Sequence, residues 1–275
     1  MNLRAALTLL LVLPLGTAPA TALPPLPAHT EAQETSFDHE HAAWTAILAK
    51  HVRGDTFDYA ALAKSRKGFD AYLASLASVT PEELARWTES QRYAFWINAY
   101  NAFTVEKIVD NLPLESIRKL DGWLGLSSVF DDEFIPLKAH HPEKKRDELS
   151  LNDIEHGILR PRFEDARVHA AVNCASASCP PLRAEAFVAD RLEKQLDEQM
   201  RAFVRDTTRN RLDKGKKRLR LSSIFKWFQE DFVRDGKSLR GYLKLWLPES
   251  EHAFVDSAKI EYLDYDWDLN APKKK

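Results

Sequence analysis

Both cysteines of this 275-residue chain fall in one short stretch, Asn173 to Pro180, read N-C-A-S-A-S-C-P. Cys174 and Cys179, with four residues between them, can do three kinds of chemistry. One thiol can act as a nucleophile toward an acyl group, the pair can cycle between dithiol and disulfide, or the two can close a structural clasp, as an even cysteine count in an exported chain suggests. The small residues Ala175-Ser176-Ala177-Ser178 leave room for backbone N–H groups to approach a ligand, as an oxyanion site requires. Pro180-Pro181 then ends the stretch and removes two donors.

A nucleophilic thiol needs a base, and two histidines are placed to serve. Ser150-Leu151-Asn152-Asp153 has the form of a capping box and predicts a helix to Arg160, ended before Pro161, with Leu151, Ile154 and Ile158 as its apolar stripe. His156 lies on the opposite side of that helix, so it faces either water or a second packed surface. Arg167 to Asn173 reads as a strand, with Val168, Ala170 and Val172 on one face and His169, Ala171 and Asn173 on the other. By that alternation Cys174 points away from His169, and His156 is the less constrained partner.

The elements that must hold this centre read as helices. The spacing predicts helices over 39–50, with Trp44, Ile47 and Leu48 inward, and over 69–77, with Phe69, Tyr72, Leu73 and Leu76 inward. Thr80-Pro81 opens a third, and Arg92 to Asp110 forms the longest. On that helix Asn98 and Asn101 share a face with apolar neighbours, so each amide either ties the helix to a loop backbone or orients an imidazole or an oxyanion. Phe187 to Phe203 reads as an amphipathic helix, and the basic stretch Arg209 to Arg220 as an exposed hairpin about Lys214-Gly215-Lys216. Ser222 to Phe232 reads as a helix with Ile224, Phe225, Trp227 and Phe228 in the core, and Lys259 to Tyr265 as a strand.

Composition sets the frame. A net charge of −2 supplies no electrostatic reason for a nucleic-acid or anionic-membrane partner. Residues 1–22 read as a signal peptide cleaved after Ala22, which implies a periplasmic or secreted protein with no membrane-spanning segment. Residues 23–35 read as a disordered lead-in, 36–270 as one domain, and 271–275 as a basic tail. His39, His41, His140 and His141 match no recognised zinc spacing, so neither a metal nor a cofactor is expected.

Four motifs together resemble the family catalogued as domain of unknown function 547. They are F-W-I-N-A-Y-N-A at Phe95 to Ala102, S-L-N-D-I-E-H-G-I-L-R at Ser150 to Arg160, V-H-A-A-V-N-C-A-S-A-S-C-P-P-L at Val168 to Leu182, and Y-D-W-D-L-N at Tyr265 to Asn270. The resemblance singles out Asn98, Asn101, Glu155, His156 and Cys174 as the characteristic residues. It favours Cys174 over Cys179 as the functional thiol, because plant relatives tend to carry serine at the second position. The entry to the His156 helix, His140 to Arg146, departs from the Gly-Gly turn common in bacterial relatives. The expected fold is α+β: a single helix-rich domain with a small antiparallel sheet, in a papain- or transglutaminase-like form. The expected function is cysteine-dependent acyl transfer on a peptide or small amide, with Cys174, His156, Asn98, Asn101 and Glu155 as the catalytic set and Trp96, Asn173, Ser176 and Asp266 as binding residues. Thiol–disulfide redox chemistry and a binding module closed by a Cys174–Cys179 disulfide are the alternatives.

Overall fold

The 22-residue helix α5, Glu89–Asp110, is the spine of the computed structural model. Thr88 and Gln91 close a capping box at its start, so it begins one turn earlier than the apolar pattern alone indicates. The run from Tyr93 to Val105 is buried on every side. A helix so enclosed must be surrounded by other elements, and α2 (Tyr59–Ala63), α3 (Lys67–Ser78) and a π-helix, Asp153–Leu159, pack against it. The structure describes residues 36–123, 126–137, 148–236 and 238–273. The expected signal peptide and lead-in, the segment with His140 and His141, and the last two lysines lie outside the described residues.

Residues from Phe37 onward form one compact unit containing two hydrophobic clusters. The first surrounds α5 and includes α1 (Ala42–His51), where Trp44 stacks on Tyr72 at 5.6 Å. The second lies under a three-stranded sheet, β3 (Arg211–Asp213), β4 (Arg218–Leu221) and β5 (Lys259–Tyr262), and includes α11 (Leu239–Lys244) and α12 (His252–Ser257). A two-stranded ribbon, β1 (Val52–Arg53) and β2 (Thr56–Phe57), sits beside the first cluster. The helix-rich α+β class is as expected. The larger sheet is mixed rather than antiparallel: the β3–β4 hairpin is antiparallel with Leu212 opposite Leu219, but β5 joins β4 in parallel. That pairing needs a crossover, and α9 (Ile224–Trp227) to α12 supply it.

Three local expectations are corrected. Residues 167–173 are not a strand: α7, Val168–Ala171, is a single helical turn started by Asp165, whose side chain accepts from the Arg167 N–H. A short apolar run buried all round carries no usable period, so alternation misread it. The helix opened by the Ser150/Asp153 box does not stop at Arg160. It winds as the π-helix and continues through α6, Arg160–Phe163, with Pro161 inside the continuous run, directly after the widened turn in which Arg160 N donates to Glu155 O. Trp227 is 46% exposed rather than core, and α9 ends at it before α10 (Gln229–Phe232) begins.

Glu106, near the end of α5, is raised to about 7 by burial and then by the Asp110 carboxylate, with Arg66 opposing. The folded chain therefore binds this proton more tightly than the unfolded chain. The stability it contributes is full below the ordinary glutamate value and is lost as pH rises through about 7. Glu106→Gln should flatten that loss and be more stable than the parent at pH 8, by urea denaturation at pH 5 and pH 8; an unchanged pH dependence would contradict the assignment.

Candidate functional site

A cleft of about 140 Å³ opens where the two hydrophobic clusters meet. It is small beside the roughly 300–1,000 Å³ of most ligand pockets, so it admits a short chain end. Aromatic rings form much of its wall: Trp227, Tyr265 and Trp267 lie 4.6 to 6.0 Å from one another, and Phe228 adjoins them. Cys174, Cys179, Tyr100, Asn152, Glu155, His156 and His169 supply the rest of the polar lining.

The cysteine turn is held by amide side chains. Asn101 Nδ2 donates to Ala171 O at 2.9 Å, and its Oδ1 accepts from Asn173 N at 2.8 Å. The Asn173 side chain donates to Pro180 O at 2.7 Å and accepts from Ala175 N and Asn270 Nδ2. Ala175 adopts a left-handed backbone, φ 60, at a cost of about 1–2 kcal/mol for a residue with a Cβ. Asp266 to Asn270 lies along the turn: Ala177 N donates to Asp268 O, Ser178 N to Asp266 O and Asn270 N to Ala175 O. Arg209, 6% exposed, donates to the carbonyls of Ala177 and Cys179. The turn is thus fixed from α5, from the C-terminal segment and from the loop before β3.

This clamp places both sulfurs together. Cys174 Sγ is 2.8 Å from Cys179 Sγ, and 3.2 Å from both the Ser176 and Tyr265 hydroxyls. Cys179 Sγ also accepts from the Cys174 N–H at 3.0 Å. No disulfide joins them, and Cys174 is half-buried whereas Cys179 is buried. Burial pushes the Cys174 thiol up, but donation from Cys179, Ser176 and Tyr265 outweighs it, so the group ionises below its ordinary value. Cys179 is held well above its ordinary value by burial and by the neighbouring sulfur.

The histidines belong to a different network. His169 stacks on Phe228 at 3.9 Å and bonds through Nε2 to Asp231 Oδ2 at 2.7 Å. The same carboxylate accepts from Arg160 Nε and Arg234 Nη2. Burial pushes Asp231 up, but His169 and Arg160 pull it far below the usual carboxylate range. Arg160 Nη1 also lies 3.0 Å from His156 Nδ1; a guanidinium only donates, so that nitrogen accepts and the His156 proton sits on Nε2. Cys174 Sγ hydrogen-bonds to neither histidine among the described residues. The π-turn, marked by Arg160 N donating to Glu155 O, keeps Ile154 and Ile158 inside while turning Glu155 to the cleft. There Glu155 faces Tyr100, whose phenol is held well above its ordinary value by burial and then by the Glu155 charge.

Residues 84–204 match the model of a family described as "Protein of unknown function, DUF547". This region is a DUF547 domain. It spans α5, the π-helix, the cysteine turn and nearly all of α8 (Leu192–Arg205), and it stops short of Arg209, Asp231 and Tyr265, which complete the site. No curated protein and no solved structure matches the chain, so a papain- or transglutaminase-like form of the fold is not shown.

The site-residue expectations divide accordingly. Cys174, Cys179, Glu155 and His156 line the cleft, although His156 is exposed at its rim. Ser176 is buried beneath the sulfur. Asn98 does not orient an imidazole: it clamps Phe187, donating to its O at 2.7 Å and accepting from its N at 3.1 Å. Asn101 and Asn173 likewise hold backbone. Trp96 is 1% exposed inside the first cluster, away from the cleft. Asp266 is exposed and caps its own turn through Asp268 N, so it cannot brace a histidine. The N–H groups of Ala175, Ala177, Ser178 and Cys179 are all bonded within the turn or to the C-terminal segment, so they form no open oxyanion site. Sequence reasoning missed Tyr265, Tyr100, Asp231 and Arg209; the first two stand inside motifs already noticed, and their phenols were the available signal.

Two outcomes follow. Asn101→Leu leaves Ala171 O and Asn173 N unpaired and should cost about 2–5 kcal/mol in chemical denaturation; a loss below about 1 kcal/mol would show the clamp is dispensable. Tyr265→Phe removes a donor from Cys174, so the pH at which Cys174 is half-alkylated by iodoacetamide should rise. An unmoved midpoint would show that this phenol does not stabilise the thiolate.

Proposed function

We propose that this domain carries out dithiol–disulfide exchange, with Cys174 as the attacking thiol and Cys179 as the resolving thiol. The observation that carries this reading is the 2.8 Å separation of two sulfurs with opposite ionisation tendencies, the readily ionised one half-exposed on a cleft and the other buried behind it. A disulfide bond is about 2.05 Å, so closure needs a movement of less than about 1 Å. The Cys174 thiolate attacks one sulfur of a substrate disulfide, forms a mixed disulfide and expels the first substrate thiolate. Cys179 then loses its proton and attacks Cys174 Sγ, expelling the second thiolate and leaving the Cys174–Cys179 disulfide. The substrate gains two electrons, the dithiol loses two, and the reverse sequence oxidises a substrate dithiol. Export, as expected from residues 1–22, would place the couple in an oxidising compartment.

Acyl transfer by Cys174 has less support. It needs a base at the thiol and donors for an oxyanion, whereas His156 and His169 are bonded into the Arg160–Asp231 network and the N–H groups of Ala175, Ala177, Ser178 and Cys179 are engaged.

Incubation with bis(2-hydroxyethyl) disulfide should convert the protein to an internal disulfide, seen by intact mass as loss of two hydrogens. Cys179→Ser should stall as a mixed disulfide on Cys174, and Cys174→Ser should leave Cys179 nearly unreactive. Equal reaction of Cys179 in the Cys174→Ser variant, or no adduct on Cys179→Ser, would overturn the assignment.

A further inference from the structure

His169 Nδ1 is buried and has no hydrogen-bond partner, although the residue is only 2% exposed and lines the cleft. Its other nitrogen is committed to Asp231, which as an ionised carboxylate takes the Nε2 proton. In the neutral ring Nδ1 is then a lone-pair acceptor. The Glu155 Oε1 atom lies 3.8 Å from it, too far for a hydrogen bond. Two acceptors thus lie side by side, 3.8 Å apart, at a cleft walled by Trp227, Tyr265, Trp267 and Phe228. An unmet acceptor at this burial is costly, and a bound donor recovers that cost.

The group that complements this arrangement has two or more N–H donors, a positive charge for Glu155 and a tolerance for aromatic faces. A primary ammonium has all three. Arg160, which reaches both His156 and the Asp231 carboxylate, is already spent on Asp231, Glu230 and His156, and lies 5.1 Å over the Phe228 ring. The cleft's small volume places any group held there within a short chain of Cys174, whose thiol is influenced by the Glu155 charge.

We infer that His169 Nδ1 and Glu155 bind a primary ammonium group carried on the thiol or disulfide substrate, so that the cleft selects amine-bearing sulfur compounds. This rests on the exchange reading for the sulfur chemistry, but the ammonium site itself does not require it.

The test compares cystamine with its neutral diacetyl derivative and with 3,3′-dithiodipropionic acid, each rate with Cys174 divided by the rate of the same disulfide with a free small thiol. Cystamine should be favoured by about tenfold or more over the neutral analogue, with the acid slowest. Glu155→Gln should abolish the preference, and His169→Gln, which keeps a donor toward Asp231, should reduce it. In parallel, n-butylammonium should protect Cys174 from iodoacetamide in the parent and not in Glu155→Gln. Equal normalised rates together with no protection would overturn the ammonium site and leave the exchange reading standing. Protection by n-butylammonium with no mixed disulfide from any reagent would sustain the ammonium site and overturn the exchange reading.

Discussion

Buried carboxamides that bond backbone on two sides at once are the constraint on which this structure turns. Asn101 reaches out of α5 to hold Ala171 and Asn173, Asn173 ties the start of the turn to Pro180, and Asn270 brings the C-terminal segment onto the Asn173 side chain. Asn98 does the same for Phe187, one turn along the helix. Each contact is cheap in water and costly to lose in a buried site, so the four amides convert the burial of α5 into a fixed path for the cysteine turn. The strained backbone at Ala175 and the close approach of the two sulfurs are tolerated because the chain on either side is held.

A second network decides the charges. Asp231 collects Arg160, Arg234 and His169, so its negative charge is spent orienting those groups. The consequence for the thiols is separation of roles: hydroxyl and thiol donors, rather than an imidazolium, stabilise the Cys174 thiolate. Hydroxyl donors lower a thiol's pKa without supplying a base, which suits attack on a disulfide better than attack on an amide, whose poor leaving group needs a proton.

The cleft exists because two hydrophobic clusters meet without merging. Residues of the first, such as Tyr100 and Val172, face Ile224 of the second, and the exposed Trp227 and half-buried Trp267 roof the seam. Much of this was legible in the chain. The capping boxes, the stripe of α3, the hairpin about Lys214 and the importance of the cysteine stretch follow from spacing, since local hydrogen bonding and amphipathic burial leave a period in the sequence. Glu155 was marked by its motif. Trp227 was misplaced inward because an apolar ring looks the same whether it fills a core or walls a cleft.

What the sequence by itself determined was inventory and local form: which helices start where, that two thiols stand close in the chain, and that paired amides on a buried helix must find partners. The tertiary structure decided which partners. It sent Asn98 and Asn101 to backbone, gave His169 to Asp231 and His156 to Arg160, turned Glu155 inward through a π-helix, and brought Tyr265 from the far end of the chain onto the Cys174 sulfur. The reason is that hydrogen bonds between residues tens of positions apart leave no periodic trace. Side-chain chemistry limits what a residue can do, but only the packed surroundings determine which neighbour satisfies it.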